Sequence, residues 1–390
     1  MIDSGYFIQQ ECERAFRQCG WQIVKIPLHP HEEFIEKLLM AVVTLRPDLM
    51  FTVNHLGFDC EGVLTDLIES IELPVISWFV DSPAYILLDH TKNASPFVMT
   101  PIWERHYLSF LKGFGFQHSF HLPLAGDMEV FNKPLQPVKH KYPIAFVGDS
   151  MTYAVNKWRG LCSNIAGADQ IIDDAAEILV SKCSQERVII KDFEKHERFE
   201  EILSSLNRES QLTISSAIVL EATRRYRKKL VNRLADSDLH IFGDIEGWRQ
   251  YAPRRAKLHN SVDYYTELPQ LYGQTAVNLN CTSLQMPTAV NQRVFDVPLA
   301  GGFLLTDEQD DLKMLFNSGD IATYSDIGEL PQMTSWYLAR DSLCKSMIRN
   351  ARARISVAHT YKHRIDDVIC QARRQFAGSQ INCARQAVIS

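Results

Sequence analysis

No two of the nine cysteines stand close enough to make a CxxC pair; Cys12, Cys19, Cys60, Cys162, Cys183, Cys281, Cys344, Cys370 and Cys383 are odd in number and scattered. That argues against a zinc knuckle, a dithiol redox centre or a disulfide framework, and it suits a reducing cytoplasm. No stretch approaches the roughly 20 apolar residues of a membrane span, and the N-terminus carries no basic region followed by an apolar core. Membrane contact would therefore be peripheral. Basic residues are not in excess either: the formal net charge of −6 argues against a general nucleic-acid or acidic-membrane binder. There is no low-complexity tract, no GxGxxG, no Walker loop and no GxSxG elbow, which weakens the commonest nucleotide and hydrolase readings.

What is present is a soluble composition, 46% hydrophobic and 23% charged, over 390 residues, enough for two domains with separate cores. Helical and strand-like patterns alternate from the start. Apolar positions at Ile8, Cys12, Ala15, Phe16 and Cys19 predict a helix ended by Gly20, and Trp21–Ile26 reads as a strand. A helix through Phe34 to Val43, a strand over 49–53, a helix over 61–72 and a continuous apolar strand over 75–80 follow. Alternation of this kind predicts a doubly wound α/β domain, whose ligands sit at the carboxyl ends of the strands. By that rule Asn54, His55 and Asp81 line the mouth of a cleft. Only Met1–Gly5 precede the first helix, which leaves open a late start or a sheet short by one strand.

Segments 97–100, 102–112 and 120–122 complete a first domain over 1–131, and the polar, Pro-bearing run 132–142 reads as a linker. The second domain, 143–358, opens with strand 144–147 and a glycine turn, Gly148-Asp149-Ser150, with Lys157 and Arg159 downstream. A mostly polar helical pattern from about 160 to 235 reads as an inserted helical subdomain. Within it, 224–233 (RRYRKKLVNR) is the strongest basic cluster, read as a solvated amphipathic helix over Tyr226, Leu230 and Leu234. The sheet resumes at 239–243, putting Gly243-Asp244 at a strand end, and the last segment, 359–390, reads as a helix crossing back followed by a tail.

The centre of the chain is Thr275–Thr306, TAVNLNCTSLQMPTAVNQRVFDVPLAGGFLLT. It reads as strand 276–279, a hydroxyl- and amide-rich turn with Asn280, Ser283 and Thr288, a helix opening just past Pro287, and Gly301-Gly302 leading to strand 303–306. The N–H groups before such a helix attract an anion, Arg293 adds a guanidinium fork, and Asp296 on the same helix suits a sugar hydroxyl. That pairing suggests a sugar nucleotide.

Arg293-Val294-Phe295-Asp296 and Leu299–Thr306 resemble the donor-domain signature of GT-B glycosyltransferases, in particular the CgeB-like, spore-maturation branch. The resemblance continues through Asp311-Leu312, Leu315-Phe316, Glu329-Leu330, Tyr337-Leu338 and His359–Arg364, and His121–Asp127 resembles the segment closing the first domain. It implies two Rossmann-like domains facing a cleft and a hexosyltransferase-like enzyme without an obligatory metal or other cofactor. It further implies a nucleotide-sugar co-substrate, a UDP-sugar first, and an acceptor on the first domain, a protein or surface glycan among the options. Gly148, Lys157, Arg159, Gly243, Asp244, Asn280, Ser283, Thr288, Arg293, Asp296 and Gly301 are then the donor-side candidates, and Asp81, with His55 behind it, the candidate base. In the wider retaining group two glutamates eight residues apart flank the donor; here Thr288 and Asp296 stand at those positions. Donor sugar and stereochemistry stay open on that point. The alternatives are a sugar-nucleotide epimerase and a non-catalytic homologue binding nucleotide or glycan. His359 and His363 share a helical face but lack a third ligand, so no metal is assigned.

Overall fold

The computed structural model describes residues 1–87, 90, 92–134, 140–183 and 197–376. Part of the linker (135–139), part of the helical stretch (184–196) and the tail from 377 lie outside these. The chain forms two compact units: Met1–Leu124 with the chain from Thr360, and Ala125–His359.

In the first unit, β3 (Met50–Val53), β4 (Val75–Trp78), β5 (Val98–Ile102) and β6 (His118–His121) form a parallel sheet in that order. Every residue of β3, β4 and β5 is buried, the pattern of strands covered on both faces. A strand does precede the first helix: β1 (Ile2–Asp3) pairs in parallel with β2 (Ile26–Pro27). Of the strand read over 21–26 only Ile26 lies in β2, since β1 offers only two partners. Helix Gln9–Gln18 buries Cys12, Ala15 and Phe16 and packs against helix Tyr361–Gln375. The latter opens with a capping box between Thr360 and His363.

The second unit is a six-stranded parallel sheet: β7 (Tyr142–Val147), β8 (Leu239–Phe242), β9 (Lys257–His259), β10 (Thr275–Leu279), β11 (Leu304–Asp307) and β12 (Ala322–Tyr324). Their order is β12-β11-β10-β7-β8-β9, so the winding reverses between β7 and β10. Ligands of doubly wound sheets bind beyond the carboxyl ends at such a reversal. Helices Thr152–Leu161, Ala168–Cys183, Glu197–Ser205 and Arg208–Arg233 lie between β7 and β8. They bury Ile172, Leu179, Ile214, Ala222 and Leu230 in one core with Ile144 and Phe146 of β7.

One boundary needs correction. The helix expected just past Pro287 begins at Arg293 and ends at Leu299. Residues 280–292 instead make a loop pinned elsewhere: Asn280 and Asn291 exchange side-chain hydrogen bonds at 2.9 and 3.2 Å, and Thr288's carbonyl accepts the Asp311 N–H at 3.0 Å. With Thr288's carbonyl taken by Asp311 and the Asn280–Asn291 pair closing the loop across its ends, the segment is held as a loop until Arg293.

Candidate functional site

Gly148 follows β7 and Gly243 follows β8, and their backbones pass so closely that a Cβ on Gly243 would stand 2.3 Å from the Gly148 carbonyl oxygen. The loop after Gly148 is held in several places. Trp248 Nε1 donates to the Gly148 carbonyl at 2.9 Å, and the Ser150 N–H donates to Asp244 Oδ1 at 2.6 Å. The Ser150 hydroxyl also donates to Asp244, and Tyr251's hydroxyl donates to the Ser150 carbonyl. Asp244 is thereby corrected from a nucleotide-facing group to the clamp of this loop, because backbone and hydroxyl donors claim both its oxygens.

Two arginines meet at this end of the sheet. Arg227, on the long helix Arg208–Arg233, donates from Nη1 to the Asp149 carbonyl at 2.5 Å. Arg293 starts the helix after β10, and a Cβ on Gly148 would lie 3.7 Å from its Nη2. Both affect the Cys281 thiol just past β10; burial and Asp307 raise that thiol's pKa while Arg227 and Arg293 oppose the rise. Arg227 is itself depressed, first by burial and then by the nearby Arg293 cation. The Nε of each arginine is buried and meets no acceptor among the described residues, and neither forms an ion pair with a described residue. Two close cations, with no carboxylate at ion-pair distance among the described residues, stand at the winding reversal, where an anion with several oxygens would compensate them.

Other donor-side candidates have different places. Arg159 is corrected: it reaches Asp169 at 2.8 Å, Asp173 at 2.6 Å and Glu221 at 3.6 Å, so acids of the helical subdomain take its charge. Lys157 is exposed on the same helix, and no described contact brings it to the arginine pair. Asp296 is corrected as well. It is 1% exposed and accepts from Tyr264's hydroxyl at 2.7 Å and from Gln292 Nε2 at 3.0 Å, an interior carboxylate rather than an open sugar acceptor. Asn280 is spent on Asn291 and Thr306 (2.8 Å). Ser283 is buried with its hydroxyl 3.4 Å from that of Thr223, one turn before Arg227. Thr288 is half-buried in the loop. Gly301 has φ +83°, which ends the helix in a conformation glycine tolerates.

In the first unit, Asp81 sits past β4, where Asn54 Nδ2 donates to its Oδ2 at 2.8 Å and Tyr6's hydroxyl donates to the same oxygen. Asn54 Oδ1 in turn accepts the Val80 N–H at 2.8 Å. Residues following β1, β3 and β4 thus converge on one carboxylate. His55 is corrected as a base. It is 1% exposed, stacked at 3.9 Å on Phe58 with Phe79 and Phe116 around it, and paired through Nδ1 with Ser77 at 3.0 Å. Burial, and secondarily His90, lower its pKa from 6.5 to about 3, so it is a neutral core imidazole.

Arg227, Tyr6 and Asn54's grip on Asp81 escaped the sequence reading. For Arg227 a signal existed: it follows Leu220 and Thr223 and precedes Leu230 and Leu234 at helical spacing, a cation on an otherwise buried face. Among the described residues no group of three or more His, Cys, Asp or Glu side chains could hold a metal, and no helix is long and apolar enough to cross a membrane.

A family model described as glycosyl transferase-like matches residues 223–369. Among curated proteins none matches the sequence. Among solved structures, sucrose-phosphate synthase from Thermosynechococcus elongatus is similar with a TM-score of 0.51 at 11% identity, covering 89% of this chain and 78% of that one. HepE of Anabaena in complex with UDP-glucose gives 0.50 at 10% identity, covering 94% and 88%. An alpha-glucosyltransferase in complex with UDP-glucose and DNA containing an abasic site gives 0.53 at 9% identity, covering 93% and 94%. At these identities the likeness is one of fold, two Rossmann-like units of the GT-B type.

Proposed function

We propose that the protein is a GT-B glycosyltransferase that takes a sugar from a nucleoside-diphosphate donor bound by its second unit. The glycosyl transferase-like match over 223–369 and the GT-B fold support the class; the observation that carries the reading is the Arg227–Arg293 pair. Breaking the anomeric bond leaves negative charge on the diphosphate. Two guanidinium groups held together beforehand, Arg227 buried and Arg293 half-buried, stabilise that charge more than the ground state. Gly148 lets the phosphates approach the backbone. With two cations supplied by the chain, a metal is not required for charge neutralisation, and we take the reaction to be metal-independent. The Arg293–Asp296 and Leu299–Thr306 motifs favour the CgeB-like branch, and UDP is the nucleotide to test first, since HepE and the alpha-glucosyltransferase were solved with UDP-glucose. Asp81, oriented by Tyr6 and Asn54, is the carboxylate assigned to an acceptor hydroxyl.

The test is thermal denaturation with UDP, GDP, CDP, ADP and dTDP and their sugar conjugates. A ligand of the folded state raises the melting temperature by mass action. One nucleotide should raise it, the rise should survive a chelator, and Arg227→Met or Arg293→Met should abolish it. No shift with any of them, in folded protein, would sink the donor assignment. Product analysis with the binding nucleotide sugar then separates transfer from epimerisation, which yields an isomerised sugar with no acceptor.

A further inference from the structure

Helix His31–Leu45 is apolar over more of its surface than its own unit covers. Phe34 and Leu38 turn inward, 0% and 3% exposed. Ile35, Leu39 and Val43 are 40%, 39% and 73% exposed, with Met40 beside them at 59%. A spacing of four residues puts the first three on one face, in a stripe. Past Val42 and Leu45 the apolar surface runs on into a groove of about 240 Å³, walled on its other side by Phe16, Trp21 and Val24. Contiguous apolar patches of this kind mark contact sites.

We propose that this stripe joins two copies of the chain, each helix lying antiparallel against the same helix of the other. A two-fold axis at Leu39 sets Leu39 on Leu39 and Ile35 on Val43, so the stripe is its own complement. The charges fit the same axis. Glu36 flanks the stripe in its N-terminal half and Arg46 ends the helix, both exposed. Antiparallel pairing opposes residue 36 to residue 42 of the second copy, one turn from Arg46, so acid meets base twice, once on each side of the axis. A lipid surface fits less well. Glu33 and Glu36 rim the stripe, and Lys37 already pairs with Glu33 at 2.5 Å, whereas helices that lie on anionic membranes carry a basic polar face.

Sedimentation equilibrium of the full chain over a wide concentration range tests this independently of any activity. Wild type should dimerise. Val43→Glu should raise the dimer dissociation constant about a hundredfold or more, with an unchanged melting temperature at matched monomer concentration, since Val43 touches little of its own unit. Glu36→Arg and Arg46→Glu should each weaken the dimer and together restore it. A wild type monomeric at every concentration, a dimer indifferent to Val43→Glu, a charge swap without recovery, or stripe-dependent cosedimentation with anionic vesicles in place of self-association would overturn the proposal.

Discussion

The guanidinium of Arg227 lies close enough to that of Arg293 for the second cation to depress the pKa of the first. Holding a second cation beside a buried one is unfavourable unless something negative joins them, so under the proposed function the pair trades stability of the unliganded protein for affinity. Arg227→Met, which keeps the side chain's length and removes its charge, should therefore stabilise the unliganded protein by about 1–2 kcal/mol while weakening nucleoside-diphosphate binding by roughly 10- to 100-fold. Urea denaturation and calorimetric titration read the two effects separately. A variant less stable without ligand and unchanged in affinity would make Arg227 a purely structural residue.

Gly243 is fixed by space. Alanine there would put its methyl against the Gly148 carbonyl, and neither backbone can yield without dragging its strand. Gly243→Ala should cost about 2–3 kcal/mol, visible as a lower urea midpoint, and should displace the Gly148 loop enough to weaken nucleotide binding. Gly160→Ala, on an open helix surface with nothing within 4 Å of a Cβ, is the control and should be neutral or stabilising.

His55 sets a pH dependence. Its folded pKa is near 3 against 6.5 ordinarily, so below pH 6.5 the unfolded chain takes up a proton that the folded chain refuses. The stability this residue confers is complete above pH 6.5 and is lost toward pH 3, with a slope of up to about 1.4 kcal/mol per pH unit. His55→Phe retains the ring stack and should flatten that part of the stability–pH curve. An unchanged slope would place the titrating group elsewhere.

The proposed role of Asp81 is tested by separating binding from turnover. Asp81→Asn should leave nucleotide affinity within about twofold of wild type, because the residue is on the first unit, and lower transfer by about 10²- to 10⁴-fold. Tyr6→Phe removes one donor to the carboxylate and should fall between. Both are read by calorimetry and by nucleotide release with a competent acceptor, and a transfer rate untouched by Asp81→Asn would remove it from the mechanism.

The parallel sheets were legible because β3, β4, β10 and β11 are apolar runs punctuated by Gly, Pro and Asn, a signal carried within each segment. The two-unit GT-B architecture followed from alternation and from the motif at 293–306. The site was legible only in part. Arg293 and Gly148 fall at strand and helix boundaries that the pattern marks, and both stand at the winding reversal. Asp296, Asp244 and Arg159 look identical in sequence to ligand-binding residues. What distinguishes them is whether Tyr264, Ser150 or Asp173 has already satisfied their charge, and such pairings join residues 14 or more positions apart. Arg227 was obscured for the opposite reason: it sits among exposed Arg and Lys, and only its place on the buried face sets it apart.

Helix Tyr361–Gln375 belongs to the unit that starts the chain, packing on Gln9–Gln18 and tying down Pro123 and Leu124 through Arg364. The second unit is one unbroken stretch, whereas the first is split around it. On a ribosome, then, the order of synthesis and the order of completion differ: the unit made first waits with the surface of Gln9–Gln18 that packs on Tyr361–Gln375 uncovered until the whole of the other has emerged. Domains that fold as units during translation here would finish in reverse order, which makes the interval before residue 375 appears the time when a nascent chain most needs a chaperone over its first helix.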